Sequence, residues 1–300
     1  MRRALKWIGR GLLLVALVLA LLIFWQWDLF QRLFMGGVKI YETTAPALPA
    51  DIKRPAILVF SKTNGFRHAE SITAANGLLT TLAAKNGWGY YQTENGATFS
   101  PALLSRFDAV VFNNVSGDVF TPDQRTAFAT FLQNGGGFVG IHAAGGDFSY
   151  KWDWYVNDLI GAQFIGHTMD PQFQDAKVVF EDRTHPAVKD LPESLTRKDE
   201  WYSFDQSVRT KGYTVLAVLD EKSYSPKGMW GQDLVMGDHP VVWSHCIGKG
   251  RALFSAMGHL PEAYAEPAQQ TLLNGAIKWA LQLDGVGCDA PPVPGKGKSK

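Results

Sequence analysis

Seven histidines punctuate this chain of 300 residues, and several follow short apolar runs, where α/β enzymes keep reactive groups. The most informative stretch is Gly135-Gly136-Gly137-Phe138-Val139-Gly140-Ile141-His142-Ala143-Ala144. Residues 126–133 have helical character and run into Asn134 and three glycines, a strong helix stop. Phe138 to Ile141 then reads as a buried strand of the parallel kind, with His142 at its carboxyl end and small residues behind it. The arrangement resembles a nucleophile elbow carrying imidazole where serine or cysteine is expected. Such an imidazole could ligate a metal, act as a general base or hydrogen-bond a substrate hydroxyl; the bland alternative is a satisfied core histidine.

Other residues could join it. His259 follows Ala256-Met257-Gly258 at a predicted strand end and repeats the pattern, and His167 follows Phe164-Ile165-Gly166. Asp199-Glu200-Trp201-Tyr202 sets two carboxylates before an aromatic pair, so one could orient a histidine or ligate metal directly. Arg67 and His68 lie between the first strand and its helix, where guanidinium and imidazole beside a helix N-terminus suit a polar or anionic ligand; His68 as a plain helix cap is the alternative. No tight HxH or HxxxH motif exists, so a metal site would be assembled from distant loops. His185, His239 and His245 read as structural or peripheral. Trp152, Trp154, Trp201 and Trp230 occupy predicted loops and could form a sugar platform or merely pin those loops.

The elements that would position these groups alternate. Strands are predicted at 56–61, 89–92, 109–112 and 138–141, with a helix over 70–85 and another opened by Thr121-Pro122. This alternation implies a parallel sheet with helices on both faces. The second half is richer in strands, at 172–180, 214–219, 240–246 and 251–256, before a closing helix over about 268–283. Cys246 and Cys288 allow either a disulfide or two thiols. A 46% hydrophobic composition suits one large core, and 29 basic against 28 acidic side chains leave no field for nucleic acid.

Residues 11–27 are uncharged and apolar, which at ~1.5 Å per residue just reaches across a hydrocarbon core. Arg2, Arg3, Lys6 and Arg10 precede the run and no small-x-small cleavage site follows it, so an uncleaved inner-membrane anchor with a periplasmic domain is expected. The expected organisation is an anchor over 1–29, a linker over 30–54, an α/β domain over 55–284 and a disordered tail over 285–300.

Taken in order, Gly65-Phe66-Arg67-His68, the run from Gly135 to Ala144, Gly161-Ala162-Gln163-Phe164 with His167, and His185-Pro186 resemble the ThuA-like family. Asp199-Glu200-Trp201-Tyr202, Pro240-Val241-Val242-Trp243, Gly248-Lys249-Gly250-Arg251 and Gly258-His259 continue the match to about residue 283. The resemblance implies a flavodoxin-like, class I glutamine amidotransferase-like fold and a role with trehalose or related sugars and keto-sugars. His142 stands where that wider fold carries its cysteine, which argues against glutamine hydrolysis. The leading expectation is an enzyme acting on a sugar or keto-sugar glycoside. His142 and Glu200 would be catalytic, Arg67, His68, Tyr202 and Trp152 would contact substrate, and His142, His167 and His259 would hold a divalent metal such as zinc or manganese. No nucleotide cofactor is expected. A non-catalytic carbohydrate-binding protein is the alternative.

Overall fold

The computed structural model describes residues 2–148 and 150–288. Two helices, α1 (Arg2–Trp25) and α2 (Trp27–Phe34), precede the domain. Strand β1 (Ala56–Phe60), helix α3 (Ala69–Asn86), β2 (Gly89–Thr93), the short α4 (Pro101–Leu104), β3 (Ala109–Asn113), α5 (Pro122–Gln133) and β4 (Gly137–Ile141) form the alternating half. Each of β1, β3 and β4 is buried along its whole length, as apolar runs covered on both faces must be. Thr121 and Gln124 close a reciprocal capping box at the start of α5, where Pro122 takes the first helical position.

The second half adds β5 (Phe164–His167), β6 (Phe173–Phe180), β7 (Ser194–Glu200), β8 (Tyr202–Phe204), β9 (Thr214–Leu219), β10 (Pro240–Ile247), β11 (Gly250–Ser255) and α6 (Pro267–Ala280). The main sheet has nine strands in the order β2-β1-β3-β4-β11-β10-β9-β6-β7, with β5 and β8 pairing separately. It is mixed rather than parallel throughout. Pairing is parallel from β2 to β11 and antiparallel from β11 to β7, because β10 returns to β11 through a tight connection instead of a crossover helix.

The N-terminal segment departs from the expected straight span. Among the described residues no single helix is long and apolar enough to cross a membrane; Arg10–Trp25 and Trp27–Phe34 meet that requirement only as a pair, bent by 87°. The chain turns at Gln26 because α2 docks on the domain. Arg32 Nη1 donates to the Thr63 carbonyl at 2.6 Å and to that of Gly65 at 3.1 Å. The expected linker is likewise tied down, with Val38 buried and Lys62 bonded to the Ile40 carbonyl and to Glu42.

Cys246 on β10 and Cys288 beyond α6 form a disulfide across 42 positions. Residues 285–288 are therefore fixed, and the rest of the expected tail, 289–300, lies outside the described residues. Under oxidising conditions Cys288→Ser should lower the unfolding free energy by about 2–4 kcal/mol, since it frees a long loop in the unfolded chain. Denaturant melts with and without reductant check this; equal midpoints in oxidised wild type and variant would show the bridge to be idle.

Helix α6 packs on the turn after His185 so closely that a Cβ at Gly275 would meet the Pro186 carbonyl at 2.1 Å. In that turn His185 Nδ1 accepts from the Ala187 amide, its ring lies 4.8 Å from Trp279, and burial pushes its pKa down to about 4. A folded pKa below the unfolded ~6.5 means the unfolded chain binds the extra proton between those values. His185 should therefore cost nothing above pH 6.5 and about 2–3 kcal/mol of stability as pH falls to 4. The measurement is the pH dependence of unfolding in wild type and His185→Phe, and parallel curves would overturn the assignment.

Candidate functional site

Four adjacent parallel strands, β1, β3, β4 and β11, end on the same edge of the sheet, and three of them deliver a histidine there. His142 follows β4 directly and has a left-handed backbone, φ +49°, unusual for a residue with a side chain. That turn is the elbow expected from the sequence, and it drives the imidazole into the domain, where it is fully buried. Nδ1 donates to the Ala256 carbonyl at 2.7 Å, leaving Nε2 with its lone pair towards the cleft. The Tyr202 hydroxyl donates to Nε2 at 2.8 Å, and burial followed by the nearby Glu200 and Asp199 charges raises Tyr202 well above the usual phenol range, so it stays protonated. Tyr202 fits only because residue 146 is glycine; a Cβ there would meet its ring at 2.1 Å.

His259 lies past β11, with Nδ1 3.2 Å from His142 Nε2 and 3.0 Å from Glu200 Oε2. Glu200 ends β7, is 2% exposed and also stands 3.5 Å from His142 Nε2. Burial alone would raise its pKa, but the imidazoles of His142 and His259 close to Oε2 outweigh that and hold it well below the carboxylate range. Its other oxygen is occupied: Gln172 donates to Oε1 at 2.6 Å and His167 Nδ1 stands 3.2 Å away. His167 also places Nδ1 2.9 Å from the Thr168 carbonyl.

His68 completes the group. It sits at the N-cap of α3 without making a side-chain cap bond. Its ring lies 5.0 Å from that of His142 and 4.7 Å from that of His259, and its buried Nδ1 has no hydrogen-bond partner. Burial, then His142 and His259, push its pKa well below that of free imidazole. One donor atom from each of His68, His142, Glu200 and His259 falls within 4.8 Å of the others. Three imidazoles, one with an unpartnered buried nitrogen, and a carboxylate are a donor set suited to zinc or manganese, and the Ala256 carbonyl supplies the outer contact that orients such ligands.

The structure thus brings together His68, His142, His167, Glu200, Tyr202 and His259. It assigns His68 to the metal-type cluster rather than to a bare ligand-binding loop. His167 stands behind Glu200 instead of in the cluster, because its Nδ1 is turned to Thr168 and Oε1. Arg67 is not brought in: it forms an ion pair with Glu94 at 2.7 Å and does not line the cleft. Trp152 is not in the cleft either, since it packs on Phe120, Phe128 and Tyr155 with Arg125 over its face. Trp201 is buried, so the tryptophans do not share one platform. The cleft above the cluster has a volume of about 710 Å³ and is walled by Phe66, Phe148, Phe164 and residues of α2. A second cleft of about 740 Å³, at the amino ends of β3 and β4, contains no histidine.

Of the two carboxylates singled out from the sequence, the role is given to Glu200, yet its neighbour organises this site. Asp199 is fully buried and accepts from the backbone amides of Gly258 at 2.8 Å, His259 at 3.0 Å and Glu200 at 3.0 Å, with Arg197 3.3 Å away. Asp199→Ala should cost about 3–5 kcal/mol of stability by stranding Arg197 and three amides. Asp199→Asn, which keeps an acceptor, should cost less. Denaturant melts decide it, and a loss under ~1 kcal/mol for the alanine variant would overturn this role.

A family model described as ThuA, trehalose utilisation, matches residues 56–280. A ThuA-like protein of known structure from Bacteroides uniformis is 29% identical, with a TM-score of 0.66 over 79% of this chain and 95% of that one. A second, from Parabacteroides merdae, is 21% identical, with a TM-score of 0.54 over 76% and 90% of the two chains. No curated protein matches.

Proposed function

Because the chain belongs to the ThuA family, we propose that it is a membrane-anchored, extracytoplasmic enzyme acting on a sugar or keto-sugar glycoside with metal assistance. The observation that carries this is the convergence of His68, His142, His259 and Glu200 within 4.8 Å beneath a cleft large enough for a disaccharide. The apolar run before the domain supports anchoring, and the Cys246–Cys288 disulfide suits an oxidising compartment.

His68, His142 and His259 would hold a divalent ion through imidazole nitrogens, with Glu200 Oε2 as the anionic ligand. Bound there, zinc or manganese supplies Lewis acidity towards a keto or hydroxyl oxygen and eases deprotonation of water. The protein does the rest. Gln172 and His167 fix Oε1 of Glu200, so its orientation does not depend on the substrate. The Tyr202 hydroxyl, when it leaves His142 Nε2, is a neutral donor lining the cleft for a substrate oxygen. His167 has Nδ1 committed and lines the cleft, which leaves Nε2 to take and return a proton beside a sugar carbonyl. A histidine at the elbow and both cysteines in a disulfide leave no thiolate for glutamine hydrolysis.

Protein purified without chelator should carry about one divalent ion per chain by elemental analysis, and His142→Ala and Glu200→Gln should lose it. His167→Gln should keep the ion but lower turnover of a keto-glycoside by about 10²–10⁴-fold, the usual contribution of a general acid–base. Wild type that neither contains nor takes up zinc or manganese would overturn the metal reading.

A further inference from the structure

The cleft has an entrance that its polar floor does not require. Phe34, Phe66, Phe148 and Met229 come from four segments distant in sequence, all line the cleft, and are 73%, 45%, 66% and 51% exposed. Trp230, next to Met229, is 97% exposed on a left-handed backbone. Single exposed apolar side chains are ordinary, but a ring of them around one opening marks a surface that meets something apolar. A free sugar can stack a C–H face on one ring but gives a rim of four apolar side chains little more to bury.

The N-terminal helices say where that apolar matter comes from. Helix α2 is pinned beside the cleft by Arg32 and carries Phe34 into its wall, while α1 leaves it at 87°. If α1 enters the bilayer, α2 lies along its surface with Trp25 and Trp27 at headgroup depth, and the entrance opens at that level. We infer that the cleft takes an amphiphilic glycoside, a sugar bearing a hydrocarbon chain, from the membrane face. The sugar rests on the histidine–glutamate floor and the chain crosses the rim formed by Phe34, Phe66, Phe148 and Met229. This inference rests on the sugar-site reading above.

The test titrates the full chain in lipid nanodiscs with methyl and n-hexyl α-D-glucoside, subtracting titrations of empty discs. Each fully buried methylene is worth up to about fourfold in affinity, so the hexyl compound should bind at least about tenfold tighter. Phe34→Ser/Phe148→Ser and, separately, Met229→Gln should reduce that gain and leave methyl glucoside binding unchanged. These side chains are more than half exposed, so both variants should fold. Equal affinity for the two glucosides, or a chain-length gain untouched by the variants, would overturn the inference and leave the sugar site standing. Failure of both glucosides to bind would overturn the sugar reading and this inference together.

Discussion

Burying two adjacent carboxylates is the constraint on which the site depends. Asp199 and Glu200 are 0% and 2% exposed, and a carboxylate removed from water must find charge or hydrogen bonds to replace it. The two are satisfied differently. Asp199 takes backbone amides and Arg197, which fixes the loop carrying His259 to the end of β7. Glu200 takes Gln172 and imidazoles, a set that can rearrange around a ligand. One carboxylate therefore spends its lone pairs on backbone and Arg197, and the other turns Oε2 towards the imidazoles of His142 and His259. The neighbouring Arg197 also reaches Gln269 at 2.8 Å, so α6 is held by the same buried network.

Topology explains how β7, at the far edge of the nine-stranded sheet, reaches a site at the ends of β1, β4 and β11. Ligands in open α/β sheets gather at strand carboxyl ends, and the parallel half obeys that rule. The antiparallel half does not end there by itself. Beyond Glu200 the chain leaves the main sheet, and Tyr202–Phe204 pairs with Phe164–His167 as a separate two-stranded layer. That layer carries Tyr202 and His167 over the parallel strand ends and lets Tyr202 stack 4.2 Å from the His142 ring. His239 supports it from behind: Nε2 lies 2.8 Å from the Tyr202 carbonyl and Nδ1 2.8 Å from Glu221.

These facts bound what the sequence could reveal. The positions of His142 and His259 were legible because an apolar strand flanked by small residues leaves a side chain at a predictable sheet edge. The alternating half was legible for the same reason, since its strands are buried along their length and its helices carry caps. Strand β7, Ser-Leu-Thr-Arg-Lys-Asp-Glu, has no apolar run to betray it, and its buried Arg197 and Asp199 lie against each other, with Gln269 beside the first and backbone amides beside the second. Arg67 and His68 show a second limit. Neighbours in sequence, they diverge in space, one to Glu94 and the other into the histidine cluster, and spacing carries no information about that choice. Trp152 is drawn into an aromatic cluster by contacts that composition cannot distinguish from a ligand platform.

The bend at Gln26 reveals a coupling that neither half of the molecule contains alone. An anchor joined by a free stalk would leave the domain to tumble, and its cleft could face any direction. Here Arg32 binds two carbonyls of the loop between β1 and α3, the loop that also presents His68. Val38 extends the contact by donating its amide to the Asn64 carbonyl at 2.8 Å. The segment that sets the orientation of α1 therefore rests on the segment that builds the site. A rigid connection fixes the direction of the cleft relative to α1, whereas a flexible one would average it out. The Arg32 bonds to backbone oxygens five and three residues before His68 therefore tie the orientation of α1 to the loop that presents this histidine.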